Sequence, residues 1–349
     1  MPFKIYFALS ILGFLLLFQA PIDGLLDLES LTQDFVLETK KIEIPGYPYA
    51  FNPSIIRWKG KLLLSFRNIP EPKTPFISNL GLVWLNEQFE PISQPQILNT
   101  REPGHLVPSR AEDARLILIG EQLYIVYSDN SEPKISKKGF RVYLAEVHFK
   151  EKQFFLKNIE SLAHFEGASP QKREKNWTPF NYKENLLLAY SLQPHLIFRP
   201  LLRQGRCETF TSSLGKIDWK WGDLRGGTPG LIDDTYYLAF FHTCQPMETV
   251  QSNGKNILHY FMGVYTFALE PPFEILSISS EPIFAKGFYQ GTTYKPYWHP
   301  INAVFPCGFV FDQHFIWIVY GRQDHEAWVM KLDKQKLLQS LRPVSTIYR

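Results

Sequence analysis

The chain has 349 residues, 45% hydrophobic and 15% aromatic, with 37 Lys and Arg against 34 Asp and Glu. This apolar and aromatic content excludes a disordered chain, and the length supports a large buried core. A net charge of +3 is far from the one-sided balance of a nucleic-acid binder, which removes nucleic acid from the partners to consider.

At the N-terminus Lys4 precedes an uncharged apolar run from Ile5 to Phe18, followed by Gln19-Ala20-Pro21. A basic start and a short apolar stretch predict a secretory signal over residues 1–24. The run falls short of the roughly 20 apolar residues of a membrane span. An uncleaved N-terminal anchor, favoured by the awkward position of Pro21, is the alternative. Either way the protein is expected to be exported or held at a membrane by this segment alone, with residues 25–349 as one domain. Cys207, Cys244 and Cys307 are far apart and odd in number, so they form no disulfide framework and no C-x-x-C pair. They are expected as small buried hydrophobes.

From Phe51 onward one outline recurs five times: a polar or Pro-containing start, a short apolar strand, a polar turn and a strongly apolar strand. The segments are FNPSIIRWKGKLLLSFR (Phe51 to Arg67), EDARLILIGEQLYIVYSD (Glu112 to Asp129) and KNWTPFNYKENLLLAYS (Lys175 to Ser191). GGTPGLIDDTYYLAFFH (Gly226 to His242) and NAVFPCGFVFDQHFIWIVYG (Asn302 to Gly321) complete the set. Hairpin turns are predicted at Lys59-Gly60-Lys61, Gly120-Glu121-Gln122, Lys183-Glu184-Asn185, Asp233-Asp234-Thr235 and Asp312-Gln313-His314. Further strands are predicted at Gly81 to Leu85, Val142 to Phe149 and Tyr260 to Phe267, and the only helical stretch at Lys334 to Ser340. About four short strands per unit, five times over, predict an all-β, five-bladed β-propeller. A two-sheet sandwich is the alternative.

In a propeller the innermost strand of each blade borders the central channel. The repeat starts would bring Asn52, Asp113, Asn176, Thr228 and Asn302 to one mouth, and the returning strands would add Arg67, Asp129, His195, His242 and Asp324. Glu112 and Lys175 stand beside them. A ring of carboxylates, amides and cations fits a polar ligand such as a sugar, because a protein interior does not gather such groups without partners. Tyr47, Trp177, Phe180, Tyr294 and Trp298 are candidates to offer ring faces to that sugar. Arg115 is expected as a structural ion-pair partner and Arg225 as a loop charge. Gly226-Gly227-Thr228-Pro229 lacks the Lys-Ser/Thr of a nucleotide P-loop. Asn176-Trp177-Thr178 fits the glycosylation pattern, but its place in the repeat speaks against modification. His242 and His299 lack metal-ligand spacing, so neither a metal nor a cofactor is expected.

SRAEDARLILIGEQLYIVYS (Ser109 to Ser128) resembles the E-D-P-R-I-T segment of glycoside hydrolase family 130, the β-mannoside phosphorylases and related mannosidases. GGTPGLIDDTYYLAFFH is similar to the family's G-G-G-T-P-P segment. Tyr260 to Phe284 resembles its Y-R-L-G…D-L-E-D-P…P-I-L stretch, and His299 to Asp324 its V-P-N-V-V-F-P-C-G…Y-Y-G-A-A-D close. These matches come in family order over roughly Phe51 to Lys331. The resemblance implies a five-bladed propeller acting on a β-mannoside or similar glycan with inversion, by phosphorolysis or hydrolysis. It implies Asp113 as proton donor, working through a sugar hydroxyl, and Arg67, Lys175 and His242 as holders of inorganic phosphate, a co-substrate. Asn52, Glu112, Asn176, Trp177, Thr228, Asn302 and Asp324 fall at substrate-binding positions. An acid working near neutral pH calls for a raised pKa, which burial and the neighbouring Glu112 would give Asp113. One carboxyl acid with an external nucleophile gives inversion without a second catalytic carboxylate.

The sequence departs from the family pattern at Ala114, where Pro is usual, and at Lys175-Asn176-Trp177, where a K-D-A type run is usual. Arg110, Arg173 and Arg225 are candidates for a missing phosphate cation, and Phe198 to Asp223 matches nothing in the family. These departures keep two further readings open: a sugar-nucleotide-dependent mannosyltransferase on the same propeller, and a non-catalytic glycan-binding propeller.

Overall fold

A computed structural model describes residues 24–347 except 72–73, 75–76, 102–107, 131–138, 170–171 and 292–298. The expected signal or anchor, apart from Gly24, and the aromatics Tyr294 and Trp298 lie outside the described residues. Each repeated segment folds as an antiparallel hairpin. Phe51–Trp58 pairs with Lys61–Asn68, Glu112–Ile119 with Gln122–Asp129, and Thr178–Tyr182 with Asn185–Leu192. Leu231–Asp233 pairs with the start of Tyr236–Met247, and Val304–Phe311 with Phe315–Arg322. The turn residues explain why the hairpins form at these points. Lys59 and Gly60 have φ of 49° and 73°, and Lys183 and Glu184 have 49° and 60°. Two successive positive φ values give the turn whose twist matches that of the flanking strands.

Four of the sheets are regular four-stranded antiparallel blades. Asn79–Leu85 and Gln96–Ile97 complete the first, Arg141–Lys150 and Gln153–Ser161 the second, and His195–Leu201 and Arg206–Ser213 the third. The stretch without family counterpart thus forms outer strands of the third blade. The sheet after it is larger, with seven strands centred on Tyr236–Met247 and Ile257–Ala268. In the last blade Glu326–Asp333 is followed by a strand the sequence analysis missed: Val36–Lys41, from the other end of the chain, pairs with it from Val36 against Leu332 to Lys41 against Trp328. The beginning and the end of the fold therefore share one sheet. The helix Lys334–Gln339 follows, its N-terminus capped by the Asp333 side chain.

The apolar core lies between successive sheets rather than inside one layer. Trp58, Leu63 and Trp84 of the first blade pack with Leu116 and Ile125 of the second, and Ile117 and Val126 of the second with Leu188 and Phe198 of the third. Phe180 and Leu187 of the third meet Tyr237 and Tyr265 of the larger sheet. Phe240 and Phe261 of that sheet meet Phe309 and Ile318 of the last blade, and Val319 and Val329 of the last return to Ile55 and Leu64 of the first. The sheets therefore form a closed ring, an all-β propeller, which removes the sandwich alternative.

Candidate active site

The residues around the channel are aimed by a backbone irregularity repeated from blade to blade. The register of the inner hairpin shifts between Phe51 and Ser54 in the first blade and between Glu112 and Arg115 in the second. At these bulges Asn52 has a φ of 46° and Asp113 one of 54°, and Asn176, just before the third blade, has 64°. Left-handed backbone is tolerated best by Gly, Asn and Asp among L-residues, so the Asn or Asp at each repeat start is what the conformation requires. The approach is close: a Cβ on Gly321 would lie 1.9 Å from Asn52 Oδ1, so only glycine fits opposite that amide.

These bulges bring four chain segments together. Asn52 Nδ2 donates to Asp113 Oδ1 at 2.8 Å and reaches Asp324 Oδ1 at 3.5 Å. Arg67, 7% exposed, reaches Asp113 Oδ1 at 3.4 Å through Nη1 and Glu112 Oε1 at 3.0 Å through Nη2. Lys175 Nζ donates to the other Glu112 oxygen and sits 3.7 Å above the Phe140 ring. Asp113 Oδ2 has no hydrogen-bond partner among the described residues, and Asp113 borders a cavity of about 500 Å³. Lys175, Asn176 and His242 line the same cavity, together with Arg173, Arg225, Tyr260 and Phe305.

The electrostatics correct one expectation. Burial pushes the Asp113 carboxyl up, but Arg67, Lys175, the Asn52 amide and Arg115 outweigh it, and the pKa is lowered. Glu112 cannot raise it in the way expected, because its two oxygens are committed to Arg67 and Lys175. That commitment also makes Glu112 a residue that positions cations rather than one that meets substrate. His242 departs as well. Burial, Arg115 and Arg225 hold its pKa down at about 3, so the ring is a neutral hydrogen-bonding group and not a cation for phosphate. Its Nδ1 is buried with no hydrogen-bond partner, on a residue that borders the cavity.

Other expected site residues are used elsewhere. The Thr228 hydroxyl accepts from Phe240 N and donates to the Pro229 carbonyl, which consumes it in holding two chain segments together. Asn302 is fully buried in a network with His259 and Gln323, away from the cavity wall. His195 is buried against Tyr265 and Phe267, with Nδ1 on the Phe273 carbonyl, in an outer strand of the third blade. Trp177 borders the cavity, but its ring is packed among Phe165, Tyr190 and Phe198 and cannot offer a face to a sugar. Phe180 is core, in edge contact with Tyr237 and Phe267, and Tyr47 leans on Phe66. These aromatics were legible as aromatic but not as buried, because burial depends on which side of the strand faces a neighbouring blade.

Arg115 is structural, though not through an ion pair. Its guanidinium spans the channel and donates to the carbonyls of Asp113 at 2.7 Å and Gly227 at 2.6 Å. It also reaches Asn176 Oδ1 at 3.4 Å, which fixes that amide inside the site. Arg110 donates its backbone N–H to Asp129 and is absent from the cavity wall. Arg173 and Arg225 do line the cavity; both are exposed, and neither has a carboxylate partner among the described residues. Of the three candidate cations these two are at the site. Asp129, expected at the same mouth, is buried and takes hydrogen bonds from the backbone of Arg110 and Asn130. Among the described residues no three His, Cys, Asp or Glu gather as a metal site.

Comparison with known proteins adds to this geometry. No family profile matches the sequence, and no curated protein matches it. Solved structures do match in fold. One, from work on the GH130 family of mannoside phosphorylases and its hydrolases acting on β-1,2 mannosidic linkages in Candida mannan, has a TM-score of 0.59 at 12% identity, covering 86% of this chain and 87% of its own. A β-1,2-mannobiose phosphorylase from Listeria innocua has a TM-score of 0.54 at 16% identity, with 86% and 92% covered. A GDP-Man-dependent mannosyltransferase from Leishmania mexicana has a TM-score of 0.55 at 12% identity, with 86% and 91% covered. The family resemblance read from the sequence and the folded ring thus agree: this chain has the propeller fold of the family 130 proteins.

Proposed function

We propose that this protein cleaves a β-mannoside or a glycan of similar shape with inversion, Asp113 being the proton donor. The observation that carries the proposal is Asp113 itself, turned inward by its left-handed backbone and held through Oδ1 by Asn52 and Arg67. Its second oxygen is left without a partner on the wall of a cavity that also holds unpaired cations. In the reaction Oδ2 gives its proton to a sugar hydroxyl, which passes one to the departing glycosidic oxygen as the bond to the anomeric carbon breaks. An external nucleophile attacks the opposite face. Where that nucleophile is phosphate, Lys175 and Arg225 supply charge and the neutral His242 a hydrogen bond, holding it for attack.

The lowered pKa of the free carboxyl fits this scheme. Asp113 stays ionised because of Arg67 and Lys175. An anion that draws on those cations weakens their hold, and Asp113 takes up its proton as the nucleophile arrives. The acid is thereby protonated only when the nucleophile is present.

We count the seven-stranded sheet as the fifth blade, because its contacts close the ring between the third blade and the last. Residues 25–349 form this single propeller in our reading, and the basic and apolar start of the chain directs export or anchors it.

A second reading, sugar-nucleotide-dependent transfer, is favoured by Arg173 and Arg225, since two unpaired guanidiniums on one cavity suit a diphosphate. The deciding experiment incubates the purified protein with a panel of β-mannosides, with and without inorganic phosphate. Mannose 1-phosphate formed only with phosphate supports phosphorolysis, and free mannose in both supports hydrolysis. No product in either, together with a thermal shift by GDP-mannose, overturns cleavage in favour of transfer.

A further inference from the structure

The cavity accounts for the sugar that is cleaved, but a glycan brings at least one more ring. Among the described residues the strongly exposed large hydrophobic side chains include two aromatics, Tyr49 and Phe155. Phe155 belongs to Gln153–Ser161, the outermost strand of the second blade, far out along that blade. Tyr49 is 57% exposed and lies three residues before Asn52. Its ring centroid is 4.4 Å from that of His325, with the planes 33° apart, and His325 directly follows Asp324. The pair is therefore tied at both ends to the catalytic cluster, since Asn52 Nδ2 bridges Asp113 and Asp324.

Three residues of chain span at most about 10 Å. That reach is on the scale of one or two pyranose rings beyond the bond held at Asp113. A tyrosine left this exposed loses the benefit of burial, and its ring rests against that of His325. A pre-set aromatic face with a hydroxyl at its tip has the amphipathic character of a carbohydrate platform, apolar toward the C–H face of the sugar and polar toward its hydroxyls. Of the aromatics expected in that part from the sequence, Tyr47, Trp177 and Phe180 are packed away or turned from the cavity and Tyr294 and Trp298 lie outside the described residues; of the two strongly exposed aromatics described, Tyr49 is the one beside the cluster in sequence.

We infer that Tyr49, seated on His325, is the binding platform for the sugar ring next to the one that is cleaved, so that the protein selects glycans of at least two sugars over single sugars. The inference rests on the glycan-cleaving reading above. The test is isothermal titration of the full-length protein with mannose and with β-linked mannobioses of every linkage, the disaccharides joined through sulfur so that they persist. Tyr49→Ala is expected to weaken the best disaccharide about ten-fold, equivalent to about 1.4 kcal/mol, while leaving mannose binding and the unfolding midpoint unchanged. Tyr49→Phe is expected to keep most of the affinity. Equal weakening of mannose and disaccharide would make Tyr49 a structural residue and overturn the platform, as would an unchanged disaccharide affinity; either result leaves the cleavage reading standing. If the unaltered protein binds neither sugar, the cleavage reading fails and takes the platform with it.

Discussion

Replacing Arg67 by Met tests the electrostatic core of the site most directly. Met keeps much of the length of the side chain and removes the charge that reaches Asp113 at 3.4 Å and Glu112 at 3.0 Å. Both pairs are nearly buried, so the substitution leaves two carboxylates adjacent in the chain with Lys175 as the main remaining counter-charge. Breaking a buried pair by removing one partner costs about 3 kcal/mol or somewhat more, because the survivor stays desolvated. Urea unfolding at pH 7 should therefore show Arg67→Met less stable by about 3 kcal/mol. The pH dependence follows from the lowered pKa of Asp113. Such a group stabilises above its unfolded value, about 3.9, and that stability is lost as the pH falls through the still lower folded value. The gap between variant and parent should accordingly narrow toward pH 3. In the double variant Arg67→Met/Asp113→Asn the second change should restore part of the loss. A gap that is constant with pH, or strictly additive losses in the double variant, would refute the coupling of Arg67 to Asp113.

Three further outcomes follow from the same geometry. Asp113→Asn keeps the shape of the group and removes the transferable proton; product analysis should show turnover reduced by about a thousand-fold, with disaccharide binding by calorimetry retained. Arg225→Ala should weaken inorganic phosphate binding about ten-fold, read as a raised KM for phosphate, while any phosphate-independent hydrolysis is unchanged. Asp129 is buried with its carboxyl pushed up to about 6, chiefly by desolvation. A raised acid pKa stabilises fully below the unfolded value, and that contribution is lost as the pH climbs through about 6, a change on the order of 3 kcal/mol. Asp129→Asn should flatten the fall in stability between about pH 4 and about pH 6, and a variant whose unfolding curve keeps the parent's slope there would count against it.

The inner hairpins were legible because their signals are local. A Lys-Gly or Lys-Glu turn between two apolar runs needs no distant partner to be recognised, and the Asn or Asp at the head of each of the first three units suits left-handed backbone. The closing strand was not legible, since Val36–Lys41 reads VLETKK and is made a strand by Glu326–Asp333 at the far end of the chain. Site residues divided along the same line. Asn52, Asp113, Arg67, Lys175 and Asp324 sit at strand ends whose place around the channel follows from the repeat. Thr228 and Asn302 occupy equivalent places in sequence, yet their side chains are consumed by Phe240 N and by His259 and Gln323. Which polar group is spent on the fold and which is left for a ligand depends on neighbours from other blades, and no local pattern records that. The neutral state of His242 was hidden for the same reason, since burial between Tyr260 and Phe305 and the nearby Arg115 and Arg225 set it.

Closure of the ring by Val36–Lys41 has a consequence for how the protein is made. During synthesis the segment that finishes the last blade emerges first and must wait, unpaired, until Glu326–Asp333 is complete. The earlier blades can gather their own hairpins in the meantime, but the ring has an open seam until nearly the whole chain is available, and contacts at such separation are slow to form. If the chain is exported, sealing the seam falls after passage through the membrane, and the seam lies in the blade that carries Asp324. The site is thus completed by the last step of folding: Asp324, 3.5 Å from Asn52 Nδ2, belongs to the blade that this strand closes.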